Sequence, residues 1–251
     1  MSNLVINIPA GSNIDRYLKN HRNPGTIFVL EEGVYFTSGM YGFADFDYCA
    51  LAPQCSLLGV SSLRTFLKLV DPVMGQKDLA YTEILTGGAR TSGTCSSLTI
   101  RGLTILSLPS TIHSVGVHIW GSGVTMSDVV VRGVSGKRSL PYPNEGFGIL
   151  INSPAVLTGQ TNGGNMIREC GVVISSPNTY VCGIYVGVEK KTAEGMVGSI
   201  LVPSNIVDCY VHCFGSGENC TAFGLNDRVN FNRCSAIGCE GFFFSDTGTV
   251  S

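Results

Sequence analysis

The stretch Leu98-Thr99-Ile100-Arg101-Gly102-Leu103-Thr104-Ile105 decides the fold of this chain. It joins two short apolar strands through one turn residue, Gly102, and the same pattern recurs further along the chain. Five residues mark the same place in successive copies: Ile100, Met126, Ile167, Ile206 and Phe231. A structural unit that repeats every few tens of residues is typical of solenoids, in which each unit buries its apolar side against its neighbours. The sequence therefore predicts a stacked array of short strands.

The spacing of these markers separates bare coils from coils that carry insertions. Ile100 and Met126 are 26 residues apart, and Ile206 and Phe231 are 25 apart. The two middle spacings are 41 and 39 residues. A spacing near 25 fits one coil of three short strands, so the longer spacings contain inserted loops. Long loops within a compact domain are often functional. The predicted large loops span residues 133–146, 152–165 and 187–204.

Composition supports a β-rich chain and excludes some partners. The 251 residues include 32 glycines, 44% hydrophobic residues and only 14% charged residues, which favours strands and tight turns over a helical bundle. The net charge of -2 argues against binding to nucleic acid or to an anionic membrane surface. No apolar run is long enough to span a bilayer. The first nine residues lack the pattern of a cleaved secretory signal, so a cytoplasmic or virion-associated location is expected.

The ten cysteines are predicted to be mainly structural. Cys170, Cys209 and Cys234 occupy one equivalent place in the repeat, on the side that faces inward. Buried cysteine behaves as a small hydrophobe, which favours a stack of reduced thiols, with some disulfides as the alternative. The cysteines around His212 match no strong zinc-binding spacing, so neither a metal nor a cofactor is predicted.

The N-terminal region gives a second indication of the fold. A short helix is predicted over residues 13–20, with Ser12 as its cap. It is followed by the turn Pro24-Gly25, an apolar strand at residues 26–30 and the sequence Gly33-Val34-Tyr35. This order resembles the opening of right-handed parallel β-helix proteins of the pectin-lyase-like superfamily. The resemblance is to an architecture that would cover most of the chain, and it implies that the helix covers the open end of the solenoid.

The predicted fold is all-β, a single right-handed parallel β-helix domain over residues 1–251. Residues 1–40 would form the N-terminal cap and first coil, residues 41–97 irregular coils, and residues 98–251 the regular coils. The characteristic motifs of polygalacturonases, pectate lyases and alginate epimerases are absent, so no single enzyme family is indicated. Only seven residues follow Phe242-Phe243-Phe244, which leads us to expect a continuation of the chain or a partner chain over the last coil.

A column of acidic residues falls at the turn of the repeat. Asp128, Glu169 and Asp208 occupy the slot that Gly102 fills in the first copy. Three aligned carboxylates raise the alternative of a calcium site. A structural explanation is favoured, because a tight turn of this kind needs a left-handed residue, and Asp is among the best choices after Gly and Asn.

The predicted site lies on a second, glycine-led strand in each coil. In Gly116-Val117-His118-Ile119 the alternation of a strand places Val117 inward and His118 outward. The same register turns Trp120, Asn152 and Tyr185 outward, and Glu83 is expected one coil earlier. Because adjacent coils are about 4.8 Å apart, these side chains would form a ladder. In the enzymes that the chain resembles, the substrate cleft lies on this face.

Three residues are predicted to carry catalysis. His118 is the candidate acid or base, since imidazole titrates near neutral pH. Glu83 would orient or charge-balance it, and Tyr185 would donate a proton or stack on a ring. Substrate binding is assigned to Trp120 as a stacking platform, to an amide and to four loop cations that would hold a carboxylate or an enolate-like intermediate; these last five are Asn152, Lys137, Arg138, Lys190 and Lys191.

Three functions follow from this sequence, in order of preference. The first is a carbohydrate-active enzyme, a lyase, epimerase or hydrolase of a polysaccharide or uronate. The second is an isomerase or cyclase that acts on a small, partly apolar metabolite, which the apolar floor of the site favours. The third is a non-catalytic viral or surface attachment fibre. The expected partner is a carbohydrate or small-molecule ligand, and a homo-oligomer is kept open.

Overall fold

The computed structural model describes residues 3–41, 51–70, 81–88, 97–107, 113–138, 143–144, 146–153, 161–175, 181–188, 200–214, 220–225 and 229–244. Within these residues the chain is all-β, with one short helix, α1 (Ile14–Asn20). The strands, in chain order, are β1 (Val5–Ile8), β2 (Ile27–Leu30), β3 (Gly33–Thr37), β4 (Met40–Tyr41), β5 (Ser56–Leu58), β6 (Thr65–Leu69), β7 (Tyr81–Gly88), β8 (Thr99–Leu106), β9 (His113–Trp120), β10 (Thr125–Arg132), β11 (Lys137–Arg138), β12 (Pro143–Asn144), β13 (Gly146–Ser153), β14 (Thr161–Gly163), β15 (Met166–Arg168), β16 (Gly171–Ile174), β17 (Val181–Val188), β18 (Ile200–Val202), β19 (Ser204–Val207), β20 (Tyr210–Cys213), β21 (Cys220–Leu225), β22 (Val229–Asn232), β23 (Ser235–Ile237) and β24 (Glu240–Phe244).

The strands form two long sheets. The large sheet has thirteen strands and runs β1-β2-β5-β8-β10-β15-β19-β22, with β3 and β6 and then β16, β20 and β23 alongside this path. The second sheet has seven strands in the order β24-β21-β17-β13-β9-β7-β4. Pairing along the large sheet is parallel, and the second sheet is parallel except where β4 meets β7. Successive coils therefore stack strand on strand, which confirms the predicted parallel β-helix.

The register of the large sheet confirms the repeat that the sequence predicts. Met126 pairs with Ile100 on one side and Ile167 on the other, and Ile206 pairs with Ile167 and with Phe231. The first four of these markers have no exposed surface, so each coil buries an aliphatic side chain directly above the one before it. Burial of one such side chain stabilises the fold by about 1.5–3 kcal/mol.

The turn column adopts the predicted left-handed conformation. The φ angles are +70° at Gly102, +51° at Asp128, +53° at Glu169, +54° at Asp208 and +52° at Arg233. The acidic side chains bind protein groups: Asp128 accepts from the backbone N–H of Ser62 at 3.0 Å, and Asp208 accepts from the guanidinium of Arg233. No group of three or more metal-ligating side chains occurs among the residues that the structure describes.

The Asp208–Arg233 pair predicts a pH dependence of stability. The hydrogen bond from Arg233 lowers the pKa of Asp208 below its usual value of 3.8. A carboxyl whose pKa is lower in the folded state stabilises the fold above its unfolded pKa, and this contribution is lost as the pH falls through the folded value. We expect urea denaturation to show a larger loss of stability between about pH 6 and about pH 2.5 for the native chain than for Arg233→Gln. Equal losses would show that the pair contributes nothing.

The helix begins one residue later than predicted. Asn13, with φ -79° and ψ 120°, is the N-cap, and its side chain accepts from the backbone N–H of Asp15 at 2.8 Å. The prediction of Ser12 as the cap is therefore wrong. The helix buries Ile14 and Leu18 in the hydrophobic core, which also contains Ile8. Among the described residues, no helix has the length and apolarity that crossing a membrane requires.

Two of the predicted loop regions contain strands that pair with each other. Strand β14, in the region 152–165, pairs in parallel with β18, in the region 187–204. In the region 133–146, β11 and β12 form an antiparallel pair. The insertions at 152–165 and 187–204 therefore stack on one another, as the coils themselves do.

The last described coil leaves inward positions open. Ala236 pairs with Val211, which is fully buried, yet Ala236 is exposed, and Ile237 beside it is 55% exposed. Phe231 and Cys234 are half-buried, although their counterparts one coil earlier are buried. The side chains of Phe242-Phe243-Phe244 and residues 245–251 lie outside the described part, as does any cover that they provide.

The predicted column of thiols is present. Cys170 and Cys209 are buried and Cys234 is half-buried, and none of the eight cysteines that the structure describes is in a disulfide. The sulfur of Cys209 donates to the carbonyl of Ile167 at 3.6 Å, which ties one coil to the coil before it. The hydrogen bond with Cys170, together with burial, raises the pKa of Cys209 to about 12. Such a thiol is nearly all protonated at neutral pH and reacts slowly.

Candidate functional site

The candidate site lies on the outer face of the second sheet, where each strand bends. In the pairing of β9 with β13, Val115 and Val117 have partners in register, and Gly116 between them is skipped. A Cβ at Gly116 would lie 2.3 Å from a methyl of Val131, a core residue, so this position faces inward. Val117 also belongs to the core. Two consecutive inward residues break the strict alternation and mark a bend in the strand. The outward side chains before and after Gly116 and Val117 therefore lie on either side of this bend.

Glu83 and His118 meet across this bend. Glu83 precedes it in β7 and pairs with Val115, whereas His118 follows it in β9 and pairs with Thr86. Glu83 Oε1 and His118 Nδ1 are 2.7 Å apart, and the side chains are 3% and 0% exposed. The sequence placed Glu83 one coil before His118, which the pairing confirms. It missed Thr86, the residue directly opposite His118, which counting the outward register back by one coil would have found.

The other ring nitrogen of His118 contacts Asn152. Asn152, in β13, pairs with Trp120, and its Nδ2 lies 3.3 Å from His118 Nε2. An ionised carboxylate can only accept, so the contact of Glu83 with Nδ1 is a hydrogen bond in the tautomer that carries the proton on Nδ1. In that tautomer Nε2 accepts the N–H of Asn152. Both nitrogens are thereby oriented, and Nε2 is the one available as a base.

Trp120 covers the imidazole. The ring centroids of His118 and Trp120 are 5.2 Å apart with a tilt of 40°, and Trp120 is 3% exposed. Its outward register is as predicted. In this arrangement the indole is buried beside the candidate base, so it shapes the surroundings of His118 and does not present an open platform.

Tyr185 lies on the same outward column but away from His118. Leu150 pairs with both residues, so Tyr185 is two coils from His118, or about 10 Å along the stack. Its ring covers Gly224 of the next coil, where a Cβ would lie 2.6 Å from Tyr185 Cδ2. The ring also meets Phe147 edge-to-face, with centroids 5.9 Å apart. Sequence reasoning missed Phe147, an outward residue that comes directly before the bend in β13.

The predicted binding role of the four loop cations is not tested by the described residues. Lys137 and Arg138 form β11, whose backbone pairs with Asn144 and Pro143. Nothing of their side chains is described. Lys190 and Lys191 lie outside the described residues.

The arrangement is suited to proton transfer. Nε2 of His118 can take a proton, and Glu83 at Nδ1 would stabilise the imidazolium that forms. Asn152 is half-buried, whereas His118 and Glu83 are buried. Asn152 is therefore the member of the three that solvent reaches.

Comparison of the chain with protein-family models, with curated proteins and with solved structures finds no match.

Proposed function

We propose that the protein is an acid–base enzyme, an isomerase or cyclase, that acts on a small, partly apolar molecule. The observation that carries this proposal is the buried His118, fixed at Nδ1 by Glu83 at 2.7 Å and contacted at Nε2 by Asn152. We also propose that its β-helix is of the right-handed, pectin-lyase-like type, on the N-terminal pattern and the parallel coils.

Burial supports a small substrate over a polymer. Glu83 is 2% exposed, His118 0%, Trp120 3% and Leu150 5%. A polymer groove would present open surface over several consecutive coils, whereas these side chains are covered on three neighbouring strands. A compact ligand would approach Nε2 from the half-buried Asn152.

The proposed step is a proton transfer within the substrate. Nε2 of His118 removes a proton from a carbon next to an electron-withdrawing group, and the electron pair moves into that group. Glu83 stabilises the imidazolium, which then returns the proton to a different carbon. In heavy water the imidazolium exchanges its Nε2 proton with solvent before that return, so the transfer replaces C–H by C–D.

A carbohydrate-active enzyme is the second candidate, supported by a different observation. Tyr185 and Phe147 are both half-buried and lie edge-to-face on the outer side of the same sheet. Aromatic pairs that are partly open bind sugar rings through their apolar faces. A uronate or oligosaccharide could rest there, two coils from His118.

Proton exchange in heavy water tests the proposal on a panel of candidate substrates. Small ring alcohols and ketones, monosaccharides, free uronic acids and oligo-uronates would be incubated with the protein and followed by NMR. We expect the protein to replace a C–H by C–D in a small ring compound, and we expect His118→Gln to slow this at least about a hundredfold. Exchange confined to oligo-uronates would favour the second candidate.

The variants are chosen so that folding and chemistry can be separated. Glutamine at position 118 retains an N–H that can donate to Glu83, so the buried carboxylate keeps a partner. Leu63→Ser, at a residue that is 80% exposed, is the matched control and should exchange at the native rate. Undiminished exchange by a well-folded His118→Gln would exclude His118 as the base.

A further inference from the structure

The pair Cys213 and Cys220 lies where the chain passes from the large sheet to the second sheet. Cys213 ends β20 in the large sheet, and Cys220 begins β21 in the second sheet. Their sulfur atoms are 3.1 Å apart, and the two residues are 5% and 3% exposed. The inward column of Cys170, Cys209 and Cys234 also places thiols beside one another, and its sulfurs bond backbone carbonyls as well, as Cys209 does with Ile167. The contact of Cys213 with Cys220 instead joins the two sheets within one stretch of eight residues.

We propose that Cys213 and Cys220 form an intramolecular disulfide when the chain meets a low-molecular-weight disulfide such as oxidised glutathione. A disulfide bond is about 2.05 Å long, so the sulfurs need to approach by only about 1 Å. The bond would close the short connection over residues 214–219 and tie the large sheet covalently to the second sheet.

The reaction balances by two exchanges. The thiolate of one cysteine attacks a sulfur of oxidised glutathione, which forms a mixed disulfide and releases one glutathione thiolate. The second cysteine thiolate attacks the protein sulfur of that mixed disulfide, which forms the Cys213–Cys220 bond and releases the second glutathione. The protein loses two hydrogen atoms as two protons and two electrons, and oxidised glutathione gains the two electrons.

Burial decides when this chemistry takes place. Burial raises the pKa of Cys213 to about 12, and the neighbouring Cys220 adds to the effect. Only a thiolate attacks a disulfide, so exchange in the closed structure is slow. We therefore expect the bond to form during folding or when the last coils open, and then to be shielded from reductants. This is the behaviour of a structural link and not of a rapid peroxide sensor.

A third cysteine, Cys239, is an alternative partner against which the pairing of Cys213 with Cys220 can be tested. Cys239 is half-buried and follows β23, which pairs in parallel with β20, so it lies in the coil after Cys213. Its sulfur, however, donates to the carbonyl of Val211 at 3.9 Å. The geometry favours Cys213 with Cys220 over either pairing that involves Cys239.

Peptide mapping of the full chain decides the matter. The reduced protein would be unfolded, refolded in a buffer of oxidised and reduced glutathione, alkylated under denaturing conditions and cut after Phe214 and Glu218. We expect two peptides joined through Cys213 and Cys220, with a mass two hydrogen atoms below that of the separate thiols. Full alkylation of both cysteines, or a link from either one to Cys239, would overturn the proposal.

Stability provides a second measurement. The oxidised protein should melt about 5 °C or more above the reduced protein, because the link restricts the unfolded chain. This difference should vanish in Cys213→Ala and persist in Cys55→Ala, whose sulfur bonds the backbone carbonyl of Asn23. If Cys213→Ala fails to fold, the peptide map of the native chain still decides. Persistence of the difference in Cys213→Ala would show that another pair is responsible.

Discussion

Replacing His118 with alanine is expected to lower the free energy of unfolding by about 4 kcal/mol. The change leaves Glu83 Oε1, at 2.7 Å from His118 Nδ1 in the native chain, buried and without that partner. It also leaves a cavity where the imidazole packed beside Trp120. A buried carboxylate that loses its hydrogen-bond donor is left with the cost of its desolvation. Urea denaturation monitored by circular dichroism at neutral pH measures the loss.

A double-mutant cycle isolates the pair itself. Glu83→Gln keeps the size of the side chain and an acceptor for Nδ1–H, so alone it should cost less than His118→Ala. Together, the two changes should cost at least about 1 kcal/mol less than the sum of the single effects. Ile206→Ala, in the core of the large sheet, is the control and should add to Glu83→Gln without coupling. Additivity of Glu83→Gln and His118→Ala would mean that the contact contributes no specific energy.

The architecture could be predicted because its determinants are local. The alternation of inward and outward residues around Ile100 and Met126 follows from strand geometry alone. The left-handed turn at Asp128 and Asp208 follows from the residue types that tolerate a positive φ. Since every coil follows the same two rules, each copy of the repeat supports the fold predicted from the others. The helix boundary at Asn13 was missed by one residue because Ser12 and Asn13 are both good caps.

The candidate site could be predicted only in part, because it depends on a bend. Strict alternation placed His118 on the outer face, and the position of its neighbours Val117 and Ile119 in the core agrees. The contact of Glu83 with His118 was predicted, but the bend at Gly116 that this contact crosses was not. An outward position also does not indicate what covers it, so the burial of Trp120 could not be read from the sequence. Whether an outward side chain leans toward the preceding or the following coil depends on its neighbours, as in Tyr185, whose ring lies over Gly224.

Replacing Gly148 with alanine is expected to lower the free energy of unfolding by about 3 kcal/mol, or to prevent folding. Gly148 occupies the inward position at the bend of β13. A Cβ there would lie 2.5 Å from the carbonyl oxygen of Gly183 and 2.5 Å from both methyls of Val172. The first contact is with the backbone of the next coil and the second is with the packed core. Neither group can move away without displacing a strand, so the methyl forces the coils apart.

Gly171→Ala is the matched comparison, because its new methyl meets a group that can move. A Cβ at Gly171 would lie 2.1 Å from Cζ of Tyr210, a closer approach than any at Gly148. Tyr210, however, is 36% exposed, so its ring can turn into solvent at little cost. We expect Gly171→Ala to lose less than about 1 kcal/mol in the same denaturation experiment. If the two variants lose the same free energy of unfolding, the close stacking of the coils at the bend does not limit which side chains the second sheet can accommodate. Other interactions would then have to hold the Glu83–His118 contact in place.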